Sequence, residues 1–234
     1  MGTSYPHKYA HDISDLVDSK DVRRIYDSAK TSREQALISL LWLFGARPSE
    51  ILELRKEDIK LNYDEDLENE FVSFTFPTKK LNADGHQFVL KTRQLKILRP
   101  KDPQDLYIET ILQYIRLLED HELLFQYTTR WAQKVVNRLS RNSIGKKLSP
   151  YHFRHSCITR ESAAGKTLDQ LMHLKGAKSL DSVKMYLHAR AYNLVLQPEK
   201  FDQVNPGKII LSVNKIEGGK DGESKKIEEN KKTI

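Results

Sequence analysis

Apolar and polar positions follow two different periods along this chain, and the changes of period mark out its elements. Ala36-Leu37-Ile38-Ser39-Leu40-Leu41-Trp42-Leu43 is apolar on nearly every side. It predicts a buried helix over Arg33–Phe44, with Ser32 and Gln35 as its capping box and Gly45 as its stop. A short helix is expected before it, at about Asp21–Ala29. Another opens at Pro48, whose missing N–H is no loss in a first turn, and runs through Ile51, Leu52 and Leu54. The period then falls to two in Phe71-Val72-Ser73-Phe74-Thr75-Phe76. With the turn residues Asn82-Ala83-Asp84-Gly85 and a second run, His86–Lys91, this predicts a β-hairpin. Helical spacing returns at Asp102-Pro103 and predicts helices over about Pro103–Leu118, Arg130–Leu139, Pro150–Ala163, Leu168–Leu174 and Leu180–Ala189. Ser149, Thr167 and Ser179 are their visible caps, and Gly165 ends the third. The expected class is α+β, mostly α: a helical bundle with a small antiparallel hairpin or sheet.

Composition changes this picture at the C-terminus. Residues 206–234 carry seven lysines, five acids and four glycines, no aromatic residue, and one apolar cluster, Ile209-Ile210-Leu211. They are expected to form a largely disordered Lys/Glu-rich tail, most clearly from about 216 onward. Residues 1–18 read as an extension or linker, leaving 19–205 as one folded domain. The tail holds +2 of the formal net charge of +7, so the basic excess lies mostly on the folded part. That balance, with a pI near 9.3, is a mild preference for polyanions and an ordinary aid to solubility. The single cysteine, Cys157, excludes a disulfide scaffold and a multi-cysteine zinc site. No apolar run reaches the roughly 18 residues of a membrane span, and the N-terminus lacks a signal-like apolar stretch. A soluble intracellular protein with no membrane partner is the expectation.

Three local patterns bear chemistry. In Phe44-Gly45-Ala46-Arg47-Pro48-Ser49-Glu50, an arginine sits in a tight helix–helix turn, and Glu50 can brace it from the next helix's first turn. The ordinary reading is a solvated turn arginine beside a glutamate that suits the helix dipole. In Ser149-Pro150-Tyr151-His152-Phe153-Arg154-His155, Tyr151 and Arg154 share one helix face and His152 and His155 a neighbouring one. They crowd a helix start where backbone N–H groups favour an anion, although scattered surface histidines would look the same. In Leu174-Lys175-Gly176-Ala177-Lys178-Ser179-Leu180, a Gly/Lys/Ser turn opens a helix that places Tyr186 at the core edge, where tyrosines usually serve packing.

In this order and at these separations, the patterns resemble the catalytic domain of the tyrosine recombinase (phage integrase) family over about residues 19–190. Arg47 with Glu50 matches the family's first arginine box and Arg154-His155 its second. Tyr186 stands at the place of the nucleophile, followed by Leu187-His188. Two positions depart from the pattern: Tyr151 where His or Lys is usual, and Ala177 where His or Trp is usual. The first departure is a feature of some archaeal integrases and points to an archaeal or archaeal-virus origin. The second removes an expected phosphate donor that His152, His173, Lys175 or Lys178 could replace. The family's hairpin lysine falls on Lys80 if the turn here has one extra residue, and on Lys79 if it has two. Contact with a DNA backbone is the ordinary reading of both.

The resemblance implies a site-specific recombinase or integrase that cleaves and rejoins DNA through a 3′-phosphotyrosyl bond, with neither metal nor nucleotide cofactor. The lack of a P-loop, a Cys₂His₂ pattern and paired-carboxylate metal motifs agrees with it. It implies that Arg47 and Arg154 stabilise the charge on the phosphate, that Tyr186 attacks, that the hairpin lysine protonates the leaving 5′ oxygen, and that His155 assists at the phosphate. Tyr151 takes the remaining place at the site, and Lys175 and Lys178, with the hairpin lysines, are expected DNA contacts. It further implies a double-stranded attachment site, a dimer-to-tetramer assembly on DNA, and a nucleoid-associated place in a prokaryotic or viral setting. Tyr192-Asn193-Leu194-Val195-Leu196 would dock on a neighbouring protomer or pack in cis. With about 18 residues ahead of the matched region, the expectation is a catalytic fragment or a reduced enzyme. A type IB topoisomerase or telomere resolvase, a non-catalytic DNA-binding module on the same scaffold, and a helix–turn–helix regulator are the alternatives.

Overall fold

Helix α2 (Ser32–Phe44) has no polar face from Ala36 to Phe44, and the rest of the chain is arranged to cover it. Every residue of that stretch is buried, with α1 (Ser19–Asp27), α4 (Leu106–Ile115), α5 (Thr129–Ile144) and α6 (Pro150–Ala163) packed around it. The computed structural model describes residues 16–65, 68–81, 88–98, 106–177, 180, 182, 183, 186, 209 and 210. The cap of α2 differs from expectation. Thr31, not Ser32, is the extended residue (φ −129°, ψ 149°), and its hydroxyl accepts the N–H of Glu34 at 3.2 Å. Ser32 is already helical. Gly45 ends the helix at φ +52°, and the short α3 (Pro48–Leu52) follows at once.

Four antiparallel strands run in the order β1 (Ile59–Asp64), β2 (Asn69–Leu81), β3 (Phe88–Leu98), β4 (Ile209–Ile210). The hairpin expected from Phe71–Lys91 is therefore longer, and it has a neighbour on each side. Its turn, Asn82–Gly85, lies outside the described residues. One face of the sheet carries Val72, Phe74, Phe76, Leu95 and Ile97, all fully buried, and Phe44 of α2 lies 4.3 Å from Phe74 between ring centres. Ile209 and Ile210 pair with Ile97 and Lys96, so part of the expected tail completes the sheet. The other residues of that tail, residues 1–15 and the segment Tyr192–Leu196 lie outside the described residues.

Helix α6 spans Pro150–Ala163, and α7 spans Leu168–Lys175 behind a Thr167–Gln170 capping box. Of the expected helix over 180–189, four residues are described: Leu180 lies in a turn, and Ser182, Val183 and Tyr186 are helical. Val183 and Tyr186 form a small apolar cluster with Ile158 and Leu171, apart from the main core. Among the described residues no helix is long and apolar enough to cross a membrane.

Candidate active site

The left-handed turn at Gly45 lets the chain reverse tightly enough to place Arg47 at the N-terminus of α3, with Pro48 in the first helical position. Glu50 in the first turn of α3 accepts the Arg47 backbone N–H at 2.8 Å on Oε2 and Arg47 Nη1 at 2.8 Å on Oε1. A third donor arrives from the sheet, where Arg93 Nη2 of β3 meets Glu50 Oε2 at 3.0 Å. Glu50 is 4% exposed. Its burial alone would raise the carboxyl pKa, but Arg93, then Arg47 and Arg154, outweigh it and hold it below the usual range.

Arg154, on α6, is also buried. Its Nη1 donates to the Gly45 carbonyl at 2.7 Å and its Nη2 to the Lys175 carbonyl at 2.5 Å. Burial and the nearby Arg47 and Arg93 lower its pKa to about 10, which leaves it charged at neutral pH. Arg47, Arg93 and Arg154 thus surround one carboxylate, and Arg47 is the most open of the three, with its side chain 37% exposed.

Tyr186 lies beside this frame, almost fully buried, with its Oη 2.8 Å from His155 Nδ1 and its carbonyl accepting Ser162 Oγ at 3.3 Å. Burial pushes the phenol up to about 12 against the pull of Arg154, so the hydroxyl is neutral at neutral pH and lies in hydrogen-bonding distance of the imidazole. Lys175 Nζ sits 5.0 Å over the Tyr186 ring and bonds the Ser182 carbonyl. Burial, Arg154 and Arg47 lower Lys175 to about 8.

The other expected site residues divide. Tyr151 is 54% exposed at the start of α6, one turn before the buried Arg154. His152 is engaged in holding that helix start, its Nδ1 accepting the Ser149 N–H at 3.1 Å and meeting Ser149 Oγ at 2.7 Å. His173 joins α7 to the sheet, its Nε2 lying 3.0 Å from the Gln94 carbonyl. Ala177 is half-buried and bonds back to the Met172 carbonyl. Lys178 lies outside the described residues. Lys79 and Lys80 occupy β2 opposite Leu90 and Val89, three and four residues beyond Phe76, the partner of Arg93.

Arg93 is the residue that pattern reading missed. It lies beyond the expected end of its strand at Lys91, on the face that carries the buried Leu95 and Ile97. Among the described residues no group of three or more His, Cys, Asp and Glu side chains is placed to hold a metal. What the arrangement offers is a fixed cluster of cations, suited to charge on an oxyanion, beside a buried phenol with a ready proton acceptor.

Residues 15–192 match the model of the Phage integrase family. The chain is 23% identical over 195 residues to tyrosine recombinase XerD of Listeria innocua, covering 80% of this chain and 62% of that protein. It is 25% identical over 201 residues to a tyrosine recombinase of Pseudothermotoga lettingae, covering 82% and 60%. It therefore spans about three-fifths of the length of these curated relatives. Among solved structures, the XerH site-specific recombinase bound to palindromic difH substrate, a post-cleavage complex, superposes with a TM-score of 0.58 at 17% identity, over 81% of this chain and 54% of that one. XerA recombinase gives 0.54 at 18%, over 78% and 65%. At these identities the likeness is one of fold: mostly helical, α+β, with the small antiparallel sheet.

Proposed function

The chain belongs to the phage integrase family, and from that premise we propose that it cleaves and rejoins DNA strands at a specific site, with Tyr186 as the nucleophile. The observation that carries the reading is the pair Tyr186 Oη–His155 Nδ1 at 2.8 Å, buried against Arg154. A phenol raised to about 12 is a poor nucleophile at neutral pH until a base takes its proton. His155 takes it as the Tyr186 oxygen bonds to phosphorus. The P–O5′ bond breaks, the strand's 3′ phosphate remains on Tyr186, and the 5′ oxygen leaves with a proton from a hairpin lysine, Lys80 or Lys79. Rejoining is the same step run backward, with the 5′ hydroxyl as nucleophile.

Arg47 and Arg154 divide the work on the phosphate. Arg47 has the open side chain and grips the non-bridging oxygens, where a guanidinium can donate twice. Arg154 is anchored on two carbonyls and contributes charge that needs no rearrangement when the reaction begins. Lys175 and Lys178 add phosphate contacts, and copies of the chain assemble on a double-stranded attachment site. Much of the affinity then comes from neutralising phosphates, so it falls steeply with salt.

A duplex carrying a nick next to the cleavage point traps the covalent product by losing the 5′ fragment. Wild-type protein is expected to give a protein–DNA band on a denaturing gel, absent in Tyr186→Phe and strongly reduced in Arg47→Ala. A band that survives Tyr186→Phe refutes the nucleophile. The absence of a family donor at Ala177 favours a second reading, a binding module without catalysis, and DNA binding without a band on any site-bearing duplex would establish it.

A further inference from the structure

Strand β3 turns Arg93, Leu95 and Ile97 to the same side of the sheet, where Leu95 and Ile97 are fully buried. Alternation would put an apolar side chain at 93 as well. Instead a guanidinium stands there, 5% exposed, 5.2 Å over the ring of its cross-strand partner Phe76. Nη2 is paired with Glu50, while Nε and Nη1 are buried with no hydrogen-bond partner among the described residues. A buried cation is costly, and a single ion pair seldom offsets the whole cost, so an apolar residue would serve the core better. Arg93 is therefore better explained by what it does than by what it stabilises.

What it acts on is Glu50. That carboxylate must accept from Arg47 at both oxygens, which requires it to be ionised and held in one rotamer. The charged groups facing it are Arg47 from α3, Arg93 from β3 and Arg154 from α6. Lys175 of α7 stands against Arg47 and Arg154, and the Cys157 thiol of α6 faces Arg93. Arg93 lowers the Glu50 pKa through its charge more than Arg47 or Arg154 does, and its bond joins the Arg47 backbone N–H on Oε2, so the carboxylate is held from the sheet as well as from the start of α3. Room for this exists because residue 176 is glycine: a Cβ there would lie 2.7 Å from Arg93 Nη1.

We propose that Arg93 is a positioning residue of the strand-transfer site: it keeps the buried Glu50 ionised and oriented so that Glu50 can hold Arg47 toward the scissile phosphate. The proposal rests on the reading of Arg47 and Tyr186 above. It assigns Arg93 no contact with DNA. Its effect is relayed through Glu50.

The Glu50 carboxyl is to be titrated by carbon-13 NMR in wild-type protein and Arg93→Met, with Glu50→Gln identifying its resonance. Its midpoint should rise by about one unit or more in Arg93→Met and stay near the wild-type value in Arg93→Lys. In single-turnover cleavage of the nicked duplex, Arg93→Met should lose about tenfold or more near neutral pH, with DNA affinity changed by less than about threefold. The near-neutral deficit reflects the lost orientation of an ionised Glu50, and it should widen as pH falls through the new Glu50 midpoint, where the variant's carboxyl is protonated and the wild type's is still ionised. Arg93→Lys should keep most of the activity. Arg93→Gln gives the same contrast if Arg93→Met does not fold, since it keeps a donor but no charge. An unmoved Glu50 titration overturns the proposal even if cleavage falls, and so does a moved titration with undiminished cleavage. If wild-type protein forms no covalent product, the functional reading falls, and the NMR titration decides separately whether Arg93 governs Glu50.

Discussion

Three of the described helices end on a glycine in the left-handed region, and comparing two of them, α2 and α5, separates backbone strain from packing. Gly45 closes α2 at φ +52°, and Gly145 closes α5 at φ +70°. An alanine Cβ at 145 would meet nothing within 4 Å, whereas at 45 it would lie 2.8 Å from Cys157 Cβ, 3.1 Å from its Sγ and 3.3 Å from Arg154 Cα. Gly145→Ala therefore carries the left-handed strain alone, about 1–2 kcal/mol. Gly45→Ala carries the same strain plus an overpacking cost of about 1–3 kcal/mol, because a helix backbone and a Cβ cannot swing aside as a long side chain can. The expected difference is about 1–3 kcal/mol, a sizeable part of the roughly 5–15 kcal/mol that holds a domain together. Urea unfolding followed by circular dichroism measures both variants. Adding Cys157→Ala to Gly45→Ala should recover only part of the loss, since it removes the sulfur contact and leaves the Cβ contact. Cleavage by Gly45→Ala should fall further than its unfolded fraction explains, because the displaced carbonyl is the anchor of Arg154. Equal destabilisation of the two variants, within about 0.5 kcal/mol, would refute the close approach of α6 to the end of α2.

Two further outcomes follow from the site. His155→Leu removes the proton acceptor of Tyr186, so cleavage near neutral pH should fall by about 10²–10⁴. Because burial holds the phenol up near 12, each unit rise in pH below that value gives about tenfold more phenolate. The variant's single-turnover rate should therefore climb with pH at a slope near one, and a flat profile would remove His155 from the role of base. Cys157 is buried, and its thiol is pushed up to about 11. A neutral thiol-specific reagent should label it only in denaturant, and rapid labelling of the native protein would contradict the packing of α6 on Gly45.

Much of the helical frame was legible because its ends are marked chemically. Pro150 and Thr167 announce α6 and α7, and the α6 boundaries match those read from the sequence. Ser32 misled because Thr31 before it is an equally good cap, and only the backbone angles decide between them. Strand β1 was missed for a physical reason: Ile59 is buried, but Leu61 and Tyr63, its partners in alternation, are exposed, so its apolar period faces solvent. At the site, ordered motifs pointed to Arg47, Glu50, Arg154 and Tyr186. The 2.8 Å contact between His155 and Tyr186 joins residues 31 apart and depends on how α6 meets the following segment, which no local pattern encodes. Arg93 was hidden more thoroughly, because a charge on a strand is ordinarily read as a solvent-facing position.

Tyr186 does not belong to the main core. Tyr186 and Val183 rest on Ile158 and Leu171, a handful of described side chains beside a core to which seven helices and a sheet contribute, and they meet the rest through α6 and α7. The free energy needed to open a region scales with the apolar surface it hides, so the cluster among the described residues should open for a fraction of what global unfolding requires. Arg47, Glu50, Arg93 and Arg154 are fixed by the turn after α2, the sheet, α6 and the end of α7, so an opening confined to the segment of Val183 and Tyr186 leaves them in place. Amide hydrogens of α2 and those around Tyr186 should then exchange with solvent on separate clocks. Separate rates would mean that the phenol leaves its cationic seat and returns to it while the seat keeps its shape.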